Sequence, residues 1–425
     1  MKRALSIIRI CLFAFITMSV FNPDPGLCAS SHRKAKKNHS VRKAKSLSSA
    51  HSRVVKRHGK QKTRELSIAP PQDDALSLNN QALLLYAQGK YAEAEPLYRR
   101  SLAIRKKQLG TEHPLVATSL NNLALLLDAQ ARYAEAEPLS RRALVIDEKA
   151  LGTGHLDVAT DLNNLAALLQ AQGKYAEAEP LYRRSLAIRE KQLGSDHSDV
   201  AQSLNNLAAL LQDQGKYTEA EPLYRSSLAI REKLFGNEHP DVALGLNNLA
   251  SLLKTQGKYA EAEPLYRRSL AIREKLFGNE HPLVAISLNN LAELLQAQGK
   301  YAEAEPLYRR SLAIREKIFS SNHPLVATSL NNLAGLLQAQ GKYAEAEPLY
   351  RHSLAINKKV LGVNHPSVAM CLNNLAGLLQ AQGKYAQAEP LYRRALAIDE
   401  KILGKDHPQT INIRNNFNTR PMKLN

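Results

Sequence analysis

The residues with the greatest capacity for chemistry in this chain are paired asparagines. They stand at Asn79-Asn80, Asn121-Asn122, Asn163-Asn164, Asn205-Asn206, Asn247-Asn248, Asn289-Asn290, Asn331-Asn332 and Asn373-Asn374, and the pair returns at Asn415-Asn416, always 42 residues apart. A side-chain amide both donates and accepts hydrogen bonds, so a row of them can hold a peptide backbone whatever its sequence. Asparagine is also a poor helix former, costing up to about 0.7 kcal/mol relative to Ala because its amide competes for backbone bonds. So many of them within helices require compensation, either from a ligand or from a bond to the adjacent repeat.

Other constellations offer less. His113, His155, His197, His239, His281, His323, His365 and His407 recur with the same period. Metal ligands must meet within about 2 Å of one ion, whereas equivalent residues of successive repeats stand at least one helix-packing distance apart, roughly 8–10 Å. These histidines therefore read as helix-start residues. Arg99-Arg100 and Arg183-Arg184 follow Glu95 and Glu179 at i+4, the spacing of a solvated ion-pair face. Cys371 has no catalytic companion and reads as a small packed residue. There is no phosphate-binding glycine loop, nucleophile elbow or HExxH zinc motif, so neither an enzyme, a cofactor nor a small-molecule substrate is expected.

The elements that must position the amides follow from the period. A fixed 42-residue unit indicates a solenoid in which each repeat buries its apolar face against its neighbours. Each unit reads as two helices. In "HPLVATSLNNLALLLDAQ", Pro114 suits a first turn, and Leu120, Leu123, Ala124 and Leu127 form one stripe at i, i+3, i+4 and i+7. "RYAEAEPLSRRALVIDEKALG" supplies the second helix, with Tyr133, Ala136, Leu139, Ala143 and Leu144 facing inward and Gly152 as a C-terminal cap. Gly173 and Gly215 mark turns within repeats, and His239-Pro240 marks a link between them. Pro96, Pro138, Pro180, Pro222, Pro264, Pro306, Pro348 and Pro390 fall inside the second helices, where an irregular first turn and a bend are expected. On the first helix a 100° step puts Thr160, Asn163, Asn164, Ala167 and Ala171 opposite Leu162, Leu165, Ala166 and Leu169. The asparagines thus face away from the packed seam.

Charge is uneven. Residues 30–65 hold thirteen Lys/Arg against Glu65, a net +12 of the chain's +19; with +2 in residues 1–29, about +5 remains for residues 66–425. Residues 1–29 read as a secretory signal, with Lys2, Arg3 and Arg9 before an apolar run and Ala29 at the cut. That run is short of the roughly 20 residues a membrane span needs. Cleavage there would leave Cys371 alone, without an internal disulfide. Residues 30–72 read as a basic disordered linker that could contact an anionic surface, and residues 73–425 as the solenoid. A periplasmic or secreted location is the expectation.

Gly173, Tyr175, Ala178, Tyr182 and Ser185, set beside Leu162, Leu165 and Ala166, have the spacing of the tetratricopeptide repeat. With "LNNLA", "GKYAEAEPLYRRSLAIREK" and "HP", the 42-residue unit resembles the kinesin-light-chain subtype over residues 75–425. Departures are local: Gln81 for Leu, Ala131 for the turn Gly, Ser140 for Tyr, and Leu156 and Ser198 for the linker Pro. No heptad coiled coil precedes the repeats, so nothing points to a motor. The resemblance implies an all-α, right-handed solenoid of antiparallel helix pairs, with eight repeats and a C-terminal capping half-repeat. It further implies a concave groove in which the asparagines bind an extended peptide backbone. Partner choice would then lie in the variable rows beside them. These are Thr118, Thr160, Gln202, Leu244, Ile286, Thr328 and Met370; Leu125, Ala167, Ala209, Ser251, Glu293, Gly335 and Gly377; and Asp128, Gln170, Gln212, Lys254, Gln296, Gln338 and Gln380. The expected activity is protein binding as a scaffold. The alternatives are an architectural envelope protein whose basic tail holds an anionic polymer or membrane surface, and a secreted effector that mimics kinesin-light-chain cargo binding.

Overall fold

A computed structural model describes residues 74–418. The signal, linker and tail readings for residues 1–73 lie outside the described residues. Seventeen helices and no strand are present among those described. Repeat 1 is α1 (Ala75–Ala87) and α2 (Tyr91–Leu109), repeat 2 is α3 (Pro114–Ala129) and α4 (Tyr133–Leu151), and repeat 3 is α5 (Leu156–Ala171) and α6 (Tyr175–Leu193). Repeats 4 to 6 follow as α7 (Ser198–Asp213), α8 (Tyr217–Phe235), α9 (Pro240–Thr255), α10 (Tyr259–Phe277), α11 (Pro282–Ala297) and α12 (Tyr301–Ile318). Repeats 7 and 8 are α13 (Pro324–Ala339), α14 (Tyr343–Leu361), α15 (Pro366–Ala381) and α16 (Tyr385–Ile402), and α17 (Pro408–Asn418) ends the array. The eight helix pairs and the terminal half-repeat form the expected solenoid.

Local chemistry defines both ends of each first helix. Every periodic histidine is an N-cap whose Nδ1 accepts the N–H two residues on, from Leu115 onto His113 to Gln409 onto His407, at 3.0–3.2 Å. That requires a neutral ring, and burial pushes His281, His323 and His365 down to about 4. The cap also explains why Leu156 and Ser198 start helices without proline. At the other end Lys174 N–H bonds Leu169 C=O and Gly173 N–H bonds Gln170 C=O, both at 2.9 Å, the double bond of a Schellman turn that needs a left-handed residue. Gly173 has φ +73°; Ala131, its counterpart in repeat 2, is forced to φ +55°.

Within a repeat the two helices approach closely at a small residue, where Ser185 Oγ donates to Ala159 C=O at 2.6 Å, as Ser101 does to Ala75. The second helices run unbroken through their prolines from the preceding tyrosine or its equivalent, so the expected irregular first turn is absent. Proline there forgoes one main-chain bond without ending the helix. The outer ion pairs are as expected: Glu179 accepts from Arg183 four residues on and from Lys216 of the next repeat, 2.7 and 3.1 Å.

At the C-terminus Phe417 meets Tyr392 edge-on at 6.1 Å under the Arg393 guanidinium, and Arg414 pairs with Glu400. Deleting residues 405–425 uncovers this face, so the thermal midpoint and solubility should both fall; an unchanged melting curve would show that α17 caps nothing. Replacing Ala131 with Gly relieves a left-handed strain of about 1–2 kcal/mol against an entropy cost of about 0.5–1 kcal/mol. Denaturant titration should therefore find Ala131→Gly more stable than the parent, and a less stable variant would contradict this account.

Candidate functional site

The asparagines lie on the first helices α1, α3, α5, α7, α9, α11, α13 and α15, and most of them bond one another across repeats. The second asparagine of one repeat donates Nδ2–H to Oδ1 of the first asparagine in the preceding repeat. The rungs are Asn122 to Asn79 (2.8 Å), Asn206 to Asn163 (2.6 Å), Asn248 to Asn205 (2.8 Å) and Asn290 to Asn247 (2.9 Å). The row continues with Asn332 to Asn289 (2.9 Å), Asn374 to Asn331 (3.0 Å) and Asn416 to Asn373 (3.1 Å). A net hydrogen bond contributes about 1 kcal/mol, close to the helix-propensity cost of the pair, about 1.4 kcal/mol at most. Bonding between neighbours therefore offsets most of what the asparagines cost.

The rungs consume only part of each amide. Oδ1 of the second asparagine and Nδ2 of the first stay available for other bonds. In places the chain itself takes them: Gln202 donates to Asn206, Asn289 to Glu293, and Asn247 and Asn373 donate to Asn248 and Asn374 within their own pairs at 3.5 and 3.3 Å. Exposure divides the sixteen predicted residues. Asn163, Asn205, Asn206, Asn247 and Asn289 are buried, Asn206 completely. Asn79, Asn121, Asn122, Asn164, Asn248, Asn290, Asn331, Asn332, Asn373 and Asn374 are half-buried, and Asn80 is exposed.

The row of glutamines is not an open specificity row. Gln170, Gln296 and Gln338 accept the hydroxyls of Tyr182, Tyr308 and Tyr350 at 3.0–3.1 Å, and Gln212 accepts that of Tyr224 at 3.3 Å. Repeat 2 changes both partners, with Asp128 and Ser140 in place of Gln and Tyr, and burial pushes Asp128 up to about 7. Leu244 and Ile286 of another row are buried, whereas Thr118 and Met370 are exposed.

Sequence reasoning missed a second polar seam. Arg105, Arg189, Arg273 and Arg315 are buried and reach into the next repeat, where each donates to a main-chain carbonyl ten residues on and to Ser119, Ser203, Ser287 or Ser329, fourteen residues on. Arg231 makes the carbonyl bond and holds Gln202 at 3.2 Å. Burial without an acid in direct contact pushes the Arg273 and Arg315 guanidiniums down to about 10 and about 9. The repeated Arg-x13-Ser spacing was the available signal.

Both seams fail at one junction. Repeat 2 carries Asp147 at the arginine position and repeat 3 carries Asp161 at the serine position, both buried. Asp161 accepts from Asn121 Nδ2, the rung from Asn164 to Asn121 Oδ1 is missing, and Oδ1 of Asn121 and Oδ1 of Asn164 are both buried without a partner. Burial first, and the neighbouring acid second, hold Asp161 well above the ordinary carboxylate range, while burial and the nearby Asp157 carboxylate raise Asp147.

The unfolded chain releases these protons near pH 4, while the folded pair holds a proton to well above that pH, because both carboxyls are buried beside each other. Stability from this junction is thus complete below pH 4 and is lost as pH rises through neutrality. The double change Asp147→Arg/Asp161→Ser should flatten that loss and raise the melting temperature at pH 8. Equal melting of parent and variant across pH 5–9 would show that the junction is not strained.

The tetratricopeptide repeat family matches over overlapping segments from residues 73–149 to 368–417. No curated protein sequence matches the chain. Among solved structures, a Podosopora anserina protein assigned to the kinesin light chains, with nearly identical TPR-like repeats, is 33% identical over 48% of this chain and 97% of its own, with TM-score 0.41. BtubC (BKLC) from P. vanneervenii is 26% identical over 55% and 91%, TM-score 0.42. A Rap protein in complex with competence and sporulation factor is 14% identical over 81% and 96%, TM-score 0.45. With the family pattern running from residue 73 to residue 417, the chain belongs to the tetratricopeptide repeat family.

Proposed function

We propose that the protein is a non-catalytic scaffold that holds an extended segment of a protein partner along the face of its first helices. The observation that supports this is the row of half-buried amides Asn248, Asn290, Asn331, Asn332 and Asn374. There the rungs do not use Oδ1 of Asn290 and Asn332 or Nδ2 of Asn331, and the weak bonds within the pairs Asn247-Asn248 and Asn373-Asn374, at 3.5 and 3.3 Å, are open to exchange with a visiting backbone. The buried asparagines support the wall from behind. Side-chain selectivity falls to the positions on the same face that differ between repeats and remain accessible, such as Thr118, Thr328, Gly335 and Met370. Their mixture suits a polar, weakly apolar segment. Residues 1–29 are proposed to export the chain to the periplasm or beyond, and the basic residues 30–65 to tether it there.

Two sets of variants separate groove binding from structural support. Thr328→Arg with Met370→Arg fills the face while leaving every rung in place. Capture of partners from the native compartment should fall at least about tenfold, equivalent to about 1.4 kcal/mol, with melting unchanged. Asn290→Ala with Asn332→Ala removes rungs and available amides together, so both capture and stability should fall. Full capture by the arginine pair would remove the groove from consideration, and intact binding by the alanine pair would remove the amides.

A further inference from the structure

The solenoid winds far enough to touch itself. A β-carbon added to Gly89, in the turn of repeat 1, would lie 3.1 Å from Pro324 Cδ and 3.4 Å from His323, five and a half repeats farther along. After the same step, a β-carbon added to Gly173 would lie 2.8 Å from His407 Cδ2. The imidazoles of His323, His365 and His407 face the main-chain carbonyls of Ala87, Ala129 and Ala171. Val360 and Leu361 add apolar contact to the core of the first repeats. One turn thus rests on the next through cap histidines above and repeat turns below.

This contact uses three caps and three turns and, among the described residues, leaves the remainder of both edges open. Among the described residues no turn lies beneath His113, His155, His197, His239 and His281, and the side chains of His155, His197 and His239 are 39–45% exposed, against 2% overall for His323. At Gly215, Gly257, Gly299, Gly341 and Gly383 an added β-carbon would meet nothing within 4 Å. We propose that a second copy of this chain docks head to tail on these edges, its open cap histidines seated on the open turns of the first, so that copies continue one superhelix.

Three features support this occupant. The contact already exists within one chain, and both open edges keep its residues, a histidine cap on one and a glycine turn on the other. The two edges are different surfaces, so one chain cannot use both on a single partner, and the association is heterologous and open-ended. Exposed charges of opposite sign also line the two edges, acids before the open histidines at Glu112, Asp196, Glu238 and Glu280 and lysines after the open glycines at Lys216, Lys258, Lys300, Lys342 and Lys384. Each holds an ion pair within its own chain, such as Glu238 with Lys275 and Lys258 with Glu221, which a docked copy would share. Inside the existing contact the equivalent linker positions are Asn322, Asn364 and Asp406, and the turns are followed by Lys90, Arg132 and Lys174.

Sedimentation velocity of the full chain over a roughly hundredfold concentration range should show species that keep growing and that shrink with added salt. One variant reverses the linker edge (Glu112→Lys, Glu238→Lys, Glu280→Lys) and another the turn edge (Lys258→Glu, Lys300→Glu, Lys342→Glu). Each alone should remain monomeric at wild-type helicity, and an equimolar mixture should associate again. A wild-type chain that is monomeric throughout overturns the proposal. So do variants that associate as the parent does, which would place the contact elsewhere, and a mixture of monomeric variants that does not reassociate.

Discussion

The interaction on which the solenoid depends is the join between one repeat and the next, because the small core inside a repeat, such as Val158, Ala159, Leu162 and Ile188, is completed only by a neighbour, here Leu144. Leucine and alanine stripes supply the attraction there, and two polar seams give it direction: amide on amide, and arginine on serine. Hydrophobic burial tolerates sliding, whereas a rung at 2.6–3.1 Å does not. An unmade rung leaves buried polar atoms orphaned at about 1–3 kcal/mol each. The polar seams therefore select one stacking geometry, and that geometry, repeated, gives the molecule its curvature.

The junction between repeats 2 and 3 shows what departure from that rule involves. Asp147 and Asp161 replace the arginine and the serine together, and Asp161 also diverts Asn121 from its rung. Asp128 and Ser140 replace another contacting pair in the same repeat. Ala131, which holds a left-handed turn better suited to glycine, lies there too. Changes that look scattered along the sequence belong to one locally altered neighbourhood.

Curvature links the wall of amides to the self-contact. A small, constant rotation per repeat turns the first-helix faces toward the axis, where some asparagines become wholly enclosed and others stay half-open. The same rotation brings Gly89 beneath His323. How much of the wall remains reachable and whether the two edges touch are thus consequences of one geometric quantity, which the joins between repeats determine.

The helix pairs, the histidine caps, the glycine turns and the repeat count were legible in the residues because each arises from contacts within a few positions, written eight times over. Helix geometry, at about 100° per residue, put the asparagines opposite the leucine stripe, but it did not reveal that they bond across the join between repeats or that Asn163, Asn205, Asn206, Asn247 and Asn289 are buried there. Which partner each amide takes was not legible, because that partner stands 43 residues away on another helix. Nor was the Tyr–Gln bond that closes a row that seemed open, the buried arginine seam, or the enclosure of Asn206 beside the half-exposure of Asn248. Those outcomes depend on distances set when rigid helices pack and on a twist summed over several repeats, and only the tertiary structure supplies that sum.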